Sequence, residues 1–276
     1  MTATSTARPA AASGTLASAT RDGLIITWRN LKRIPRIPEL AIFAVLQSIM
    51  FVLLFAYVFG GAIPIEGGNY NDFLMPGIFA QNIVFAAGIT AIGIADDIGK
   101  GIIDRFRSLP MARSAVLTGR SLSDVVYNLG ILIVLMLSGL FVGWRVHEGI
   151  PAFLAGVGLL LLFAFAMSWL GIWLGLMVPS VEVAQQAIFT VLFPITFLSN
   201  VFVPPQTLPD WLQPIAEWNP TSTLTGSLRE LWGNPNPFAT GSYPSQNPVL
   251  VTLVWVVVVI AIFAPLAIRR YRNLSR

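Results

Sequence analysis

The charged side chains best placed to exchange force with another protein lie in one short basic segment. Wound as an α-helix at about 100° per residue, the segment gathers four charges on one side: Asp97, Lys100, Asp104 and Arg107. The other side collects five apolar side chains: Ile98, Ile102, Ile103, Phe106 and Leu109. A helix with a wide apolar stripe and a mixed-charge face lies along a membrane surface rather than across it. The pattern predicts a surface helix that receives work from a partner.

Sequence motifs for catalysis or nucleotide binding are absent. The closest approach to the phosphate-binding loop G-x-x-x-x-G-K-[ST] ends at Gly99-Lys100, but Ile94 replaces its first glycine and Gly101 its final Ser or Thr. No G-x-S-x-G elbow or H-E-x-x-H helix occurs. With no cysteine and a single histidine, His147, neither a thiolate nor a histidine metal cluster is available. The sequence therefore predicts no enzyme, no metal site and no cofactor bound by this chain.

The composition indicates a protein embedded in a membrane. Hydrophobic residues make up 55% of the chain and charged residues only 11%, against about 25% charged residues in soluble domains. The net charge of +4 comes from basic residues beside apolar stretches. Anionic lipid headgroups, rather than nucleic acid, are the partner that this arrangement indicates.

Six apolar stretches reach the length of about 20 residues that a membrane-spanning helix needs. They are Leu40–Gly61, Phe73–Ala95, Leu122–Gly143, Pro151–Met177, Val183–Val203 and Val249–Ile268. The predicted fold is an all-α membrane protein with six transmembrane helices over residues 39–276. Residues 1–20 are predicted to be a disordered tail, and residues 21–38 a cytoplasmic interfacial helix.

The distribution of basic residues predicts the orientation. With six spans, fifteen of the seventeen Lys and Arg residues lie on one side, and only Arg145 and Arg229 on the other. Because basic residues concentrate in cytoplasmic segments, both termini and the basic segment are predicted to be cytoplasmic.

Two segments outside the spans also carry helix patterns. Before the first span, Leu24, Ile25, Trp28 and Leu31 recur at helical spacing among basic residues. That helix is either a lipid anchor or a second docking surface. Residues 204–248 contain nine of the nineteen prolines, and Asn219-Pro220 is typical of a helix start. Short re-entrant helices are predicted there, before the last span, where they either seal the outer face or line an exit.

The spans hold no ionisable residue away from their ends, with Asp124 taken to lie in a first helical turn. Carriers coupled to ions or protons usually need such residues, so the energy for any transport is predicted to come from outside the bilayer. Uncharged polar residues do occur inside the spans. The candidates for a substrate pathway are Gln81, Asn82, Gln185, Thr190 and Asn200. These amides and hydroxyls either bond neighbouring helices or contact cargo.

Three blocks of the sequence resemble the type-2 permease family of ATP-binding-cassette exporters, and most closely its daunorubicin-resistance-type branch. They are Phe73–Gly77, Gly101–Arg113 followed by Gly119 and Arg120, and Ser199–Pro204 followed by Asn219, Pro220 and Arg229. The resemblance runs from about Trp28 to the C-terminus, and its most specific part is the sequence Asp-Arg-Phe-Arg-Ser-Leu-Pro of residues 104–110.

The resemblance implies a complex of two permease chains with two copies of a separate ATPase subunit, which would bind the ATP and magnesium. It also implies that the segment around Gly99–Arg113 is the coupling helix that docks on this ATPase. The residues carried over to that role are Gly99, Asp104, Arg105, Phe106, Arg107, Leu109, Pro110 and Arg113.

The predicted function is that of a transmembrane permease subunit that exports a hydrophobic drug, antibiotic or lipid-like compound across the cytoplasmic membrane. The alternative is export of a polysaccharide or glycolipid for the cell envelope. The predicted permease is a homodimer in contact with membrane lipids, and no nucleic acid is expected to bind.

Overall fold

The computed structural model describes residues 23, 25, 27, 28, 38–59, 69–103, 113–202, 205–237 and 239–273. Within these ranges the chain forms helices and connecting turns, without a strand. The helices are α1 (Pro38–Leu54), α2 (Tyr70–Gly99), α3 (Arg113–Phe141), α4 (Ile150–Met177), α5 (Val181–Phe197), α6 (Gln213–Trp218), α7 (Pro220–Trp232), α8 (Tyr243–Gln246) and α9 (Pro248–Asn273). A π-helix, Phe55–Phe59, continues α1, and a 3-10 turn, Pro205–Thr207, precedes α6. The predicted tail lies outside the described residues.

Four of these helices are long and apolar enough to cross a membrane: α2, α3, α4 and α9. Helices α1 and α5 have 17 residues each and are shorter apolar helices, at the lower limit of length for a span. The all-α prediction is confirmed for the described residues, and a helix stands at each of the six predicted apolar stretches. The count of six spans stays a prediction.

Helix α2 is the centre of the bundle and the most buried of the four long helices. It begins at Tyr70, and the side chain of its N-cap residue, Asn69, accepts a hydrogen bond from the Asn71 amide at 3.2 Å. It ends at Gly99, beyond which Gly101 adopts a left-handed conformation with φ of 64°. We call the two ends of the bundle the Tyr70 end and the Gly99 end, after the first and last residues of α2.

Helix α4 packs against α2 through two glycines one helical turn apart, Gly171 and Gly175. A Cβ atom on Gly171 would overlap the carbonyl oxygen of Ala87, and one on Gly175 would lie 2.5 Å from that of Ala91. Two glycines four residues apart let helix backbones approach closely, which increases van der Waals contact inside a membrane. The α2–α4 contact therefore depends on the absence of side chains at these positions.

Replacing Gly171 by alanine is expected to destabilise the bundle by about 1–3 kcal/mol, because overpacking forces the two backbones apart. Gly158, in the same helix, has open space where a Cβ would be added, so Gly158→Ala is the matched control and should leave stability unchanged or raise it by up to about 1 kcal/mol through the higher helix propensity of alanine. The measurement is thermal unfolding of both variants in the same detergent. Equal melting temperatures for the two variants would contradict the close approach at Gly171.

The short helices before α9 gather at the Tyr70 end. Helix α7 starts as predicted, with Pro220 in its first turn and the Asn219 side chain accepting a hydrogen bond from the Thr221 amide at 2.8 Å. Three of its apolar side chains are fully buried, Leu224, Leu228 and Trp232. The Trp232 ring meets Trp144 and Phe79 edge-on at 5.3 and 5.8 Å. Helix α7 is thus part of the core of the Tyr70 end.

The loop between α3 and α4 joins α2 to α7 at the same end. Asp72 of α2 accepts hydrogen bonds from the Arg145 amide at 2.7 Å and contacts the His147 ring at 3.0 Å. The His147 amide donates to the Trp232 carbonyl oxygen at 2.9 Å. This loop therefore fixes the start of α2 against the end of α7.

Candidate functional site

The predicted surface helix begins later than the sequence pattern indicates. Asp97 and Lys100 belong to the last turn and cap of α2, and the left-handed Gly101 separates them from the helical residues Ile102 and Ile103. The expectation of one continuous helix from residue 97 is wrong, because a left-handed glycine ends an α-helix. Gly99 is exposed and Arg113 begins α3. The other predicted coupling residues lie outside the described residues: Asp104, Arg105, Phe106, Arg107, Leu109 and Pro110.

Behind this segment, charged side chains tie α2 directly to α3. Arg120 of α3 lies 3.3 Å from the carboxylate of Asp97 and 3.1 Å from that of Asp124. Asp124 also accepts a hydrogen bond from the Thr90 hydroxyl of α2 at 2.8 Å. We call these residues, Thr90, Asp97, Arg120 and Asp124, the charge cluster.

The charge cluster corrects two sequence expectations. Asp97 faces α3 inside the bundle rather than a partner, and its exposed fraction is only 8%. Asp124 was expected in the first turn of a span, but α3 begins at Arg113, three turns earlier. A buried, hydrogen-bonded ion pair is costly to break, so the charge cluster holds the ends of α2 and α3 together where both enter the basic segment.

Small residues let the charge cluster form and connect it to the neighbouring helices. Gly93 of α2 leaves the space that the Arg120 guanidinium occupies. At the residue after Arg120, the hydroxyls of Ser121 and Ser168 share a hydrogen bond between α3 and α4. On the other side of α3, the Thr27 hydroxyl donates to the Gly119 carbonyl oxygen at 3.0 Å. The start of α3 is therefore held by three other parts of the chain.

Four described residues of the predicted interfacial helix are helical, Gly23, Ile25, Thr27 and Trp28, and the last residue of the predicted range, Pro38, begins α1. Gly23 and Thr27 contact α3, whereas Ile25 and Trp28 are more than half exposed. An apolar pair exposed next to a basic stretch suits the boundary between lipid and water. These contacts place Gly23 and Thr27 beside the beginning of α3.

A cavity of about 850 Å³ lies between α1, α2, α3 and α5. Eight phenylalanines and two tyrosines are among its lining residues, and neither α4 nor α9 contributes to it. Rings from different parts of the chain meet there, as in the stack of Phe55 on Phe202 at 4.9 Å between centroids. The volume suits a drug-sized molecule, since ligand pockets span roughly 300–1,000 Å³.

Uncharged polar groups interrupt the aromatic lining. Two of the predicted pathway residues, Gln81 and Asn82, line the cavity, together with Gln47, Ser48 and Asn128. The side-chain oxygen of Gln81 is buried without a hydrogen-bond partner, which is uncommon for a buried acceptor. The cavity thus combines aromatic faces with a few amides and no charged side chain among its lining residues.

The other three predicted pathway residues lie elsewhere. Gln185 and Thr190 are on the exposed face of α5, and neither lines the cavity. Asn200 is in the turn after α5, where its backbone amide donates a hydrogen bond to the Ser222 hydroxyl oxygen at 3.0 Å. The structure therefore brings together two of the five predicted residues.

At the Tyr70 end, Arg229 of α7 contacts Phe73, one of the residues that line the cavity. This side chain has no exposed surface. It donates to the Phe73 carbonyl oxygen at 3.1 and 3.2 Å and to the Asn200 carbonyl oxygen at 3.4 Å. Its guanidinium also lies 4.0 Å from the centre of the Phe73 ring, within range of a cation–π contact. Arg229 thus connects α7, the start of α2 and the turn after α5.

Burial lowers the pKa of the Arg229 guanidinium to about 9, so it keeps its charge at neutral pH. The sequence predicted only that Arg229 lies on the less basic side of the protein. The position of Arg229 on the side with few basic residues could have indicated a structural role, because the positive-inside rule does not account for an arginine there.

The fold and the site together define a class of membrane transport protein. Apolar helices surround an uncharged cavity, and no group of metal-binding side chains occurs among the described residues. The chain belongs to the ABC-2 type transporter family, whose sequence model matches residues 22–231. It is therefore a multi-pass membrane protein of the permease type, and the predicted resemblance is confirmed.

Two relatives are similar to this chain over most of its length. The chain is 34% identical over 266 residues to the daunorubicin resistance ABC transporter permease protein DrrB1 of Streptomyces coeruleorubidus, covering 96% of this chain and 89% of the relative. It is 25% identical over 256 residues to the probable doxorubicin resistance ABC transporter permease protein DrrC of Mycobacterium tuberculosis, covering 91% and 88%. Both relatives are thus matched over most of their length.

Proposed function

We propose that the chain is the permease subunit of an ATP-driven exporter that moves hydrophobic compounds, such as drugs, antibiotics or lipid-like molecules, out of the cell. The observation that carries the proposal is the aromatic, uncharged cavity of about 850 Å³ in a chain of the ABC-2 family. The names of the relatives support a drug-like cargo. A polysaccharide would need many more hydrogen-bonding groups, so the cavity favours the hydrophobic cargo over the alternative.

Energy comes from a separate ATPase subunit that binds ATP and magnesium, since this chain has no phosphate-binding loop. The segment around Gly99–Arg113 docks on that subunit. Movement of the segment reaches α2 and α3 together because the charge cluster joins these helices immediately behind it. Helix α2 also lines the cavity, so its displacement alters access to cargo.

The permease has six spans, with both termini and the docking segment in the cytoplasm. The distribution of Lys and Arg supports this orientation. The segment after α5, including α6, α7 and α8, then forms the outer face, with Arg229 near the exit of the pathway.

A second copy of the chain covers α5. This helix buries only four residues, Ala184, Ile188, Leu192 and Thr196. Its exposed surface includes Gln185, Gln186 and Thr190, and amides facing lipid are unfavourable because they lack hydrogen-bond partners there. Pairing with another permease chain would remove them from lipid.

Transport into membrane vesicles tests the function and the orientation together. Inside-out vesicles containing the permease and its ATPase should accumulate a fluorescent hydrophobic compound when ATP is added outside, and right-side-out vesicles should not. Vesicles with an ATPase variant that cannot hydrolyse ATP provide the control. Equal accumulation with and without hydrolysis would contradict ATP-driven export, and uptake by right-side-out vesicles alone would reverse the orientation.

A further inference from the structure

We infer that Arg120 is a positioning residue for transport, which keeps α2 and α3 together as one moving unit so that ATP hydrolysis is not wasted. The inference rests on the proposed function and specifies which side chain carries the movement of the docking segment toward the cavity. Three observations support it: the two bonds that Arg120 makes, the space that Gly93 leaves for it, and the position of the charge cluster between the segment and the cavity.

The Arg120 side chain uses different nitrogen atoms for its two carboxylate partners. Its Nε donates to Asp124 of its own helix at 3.1 Å, and its Nη1 donates to Asp97 of α2 at 3.3 Å. A planar guanidinium can hold two carboxylates in fixed directions, which a lysine ammonium cannot do. The other oxygen of Asp124 accepts the Thr90 hydroxyl of α2 at 2.8 Å. Asp124 therefore orients Arg120, and both side chains link α3 to α2.

Gly93 of α2 leaves the space in which this link forms. A Cβ atom at Gly93 would overlap the Nη2 atom of Arg120, so even an alanine there would push the guanidinium aside. The atom that would have to move is the end of a flexible side chain, so the two helix backbones can stay in place. Gly93→Ala therefore displaces Arg120 while every charge of the cluster remains.

The charge cluster lies between the docking segment and the cavity. Toward the segment, Asp97 belongs to the last turn of α2. Toward the cavity, the side chain of Asn128, a lining residue, donates to the Asp124 carbonyl oxygen at 2.9 Å. Ile89, which precedes Thr90 in α2, also lines the cavity. A displacement that enters at the end of α2 therefore reaches the cluster before it reaches the cavity.

The link matters because both helices also line the cavity, through residues such as Phe85 of α2 and Ile131 of α3. Side chains that face an open space have no contact atoms on that side, so they resist relative movement of the helices less than packed side chains do. A buried ion pair resists such movement, because separating it leaves charges unpaired. Without Arg120, a push on the docking segment would shift one helix past the other, and ATP would be hydrolysed without moving cargo.

The amount of cargo transported per ATP hydrolysed tests the inference. It is measured in inside-out vesicles with the complete permease–ATPase complex and the same fluorescent compound as in the vesicle assay. We expect Arg120→Gln and Gly93→Ala to keep the ATPase rate per assembled complex and to lower this ratio by about tenfold. Gly130→Ala adds the same methyl group to α3 where space is open, so it should keep the ratio. A purely structural role of Arg120 would lower only the amount of assembled complex, not the ratio.

If Arg120→Gln does not assemble, Gly93→Ala provides the same test with all charges in place. A normal ratio in assembled Gly93→Ala complexes would overturn the role of Arg120, and so would an equal fall of the ratio in Gly130→Ala. These results are separable from the proposed function. Normal ratios in both variants, with ATP-driven uptake by the unchanged complex, would reject the inference alone, whereas an unchanged complex without ATP-driven uptake would reject the exporter.

Discussion

Replacing Asp104 and Arg107 together by alanine is expected to reduce ATP-driven transport to the level without ATP, while the amount of permease in the membrane stays unchanged. Both residues belong to the proposed docking segment, between the end of α2 at Gly99 and the start of α3 at Arg113. Charged side chains on a surface helix give a partner interface its register and specificity. Their loss should uncouple the ATPase from the bundle without disturbing the helices on either side.

The measurement is ATP-dependent uptake of a hydrophobic fluorescent compound into inside-out vesicles, normalised to the permease content on an immunoblot. Arg269→Ala is the matched control. Arg269 lies near the end of α9, outside the docking segment, and its side chain is exposed, so its removal should change little. Normal transport by the double variant, with Arg269→Ala also normal, would remove the segment from the coupling mechanism.

The sequence predicted the positions of the apolar helices well, because a long apolar stretch has few alternatives in a membrane other than a helix. It also predicted the start of α7 at Asn219 and Pro220, since both the cap and the proline act within one turn. Features that depend on only a few neighbouring residues could thus be predicted from the sequence.

Helix ends were predicted less well, with a direct effect on the candidate site. Hydropathy marks where a helix is apolar, but α3 starts nine residues before its apolar stretch, at Arg113 rather than Leu122. Asp124 consequently lies inside the helix, where it meets Arg120 and Thr90. The charge cluster could not be anticipated from a pattern that treats polar residues as boundaries.

Contacts between helices that are distant in the sequence were the hardest to predict. Gly171 and Gly175 form a recognisable pair of glycines four residues apart, but only the fold shows that Ala87 and Ala91 lie opposite them. Likewise, of the predicted pathway residues, Gln81 and Asn82 line the cavity and Gln185 does not. Which polar residues share a cavity depends on how the helices are arranged, and one helix pattern does not specify that arrangement.

The contacts of Arg229 lead to the second large effect. Arg229→Met is expected to lower the stability of the permease by about 3 kcal/mol, because the variant loses charge-assisted hydrogen bonds to two carbonyl oxygens and a cation–π contact. For a chain of this size that corresponds to a fall of roughly 5–10 °C in Tm. Transport should fall as well, since Phe73, held by Arg229, lines the cavity.

Two further variants separate the role of Arg229 from its charge. Arg229→Lys keeps a cation but loses the planar fork that reaches the Phe73 and Asn200 carbonyl oxygens, so it should recover only part of the lost stability. Arg145→Met removes an exposed arginine at the same end of the bundle, and its Tm should stay within about 2 °C of the unchanged protein. Melting curves and vesicle uptake measured on the same preparations compare the three variants. If Arg229→Met had the same Tm as Arg145→Met, the buried guanidinium would not be what holds α7 to the start of α2.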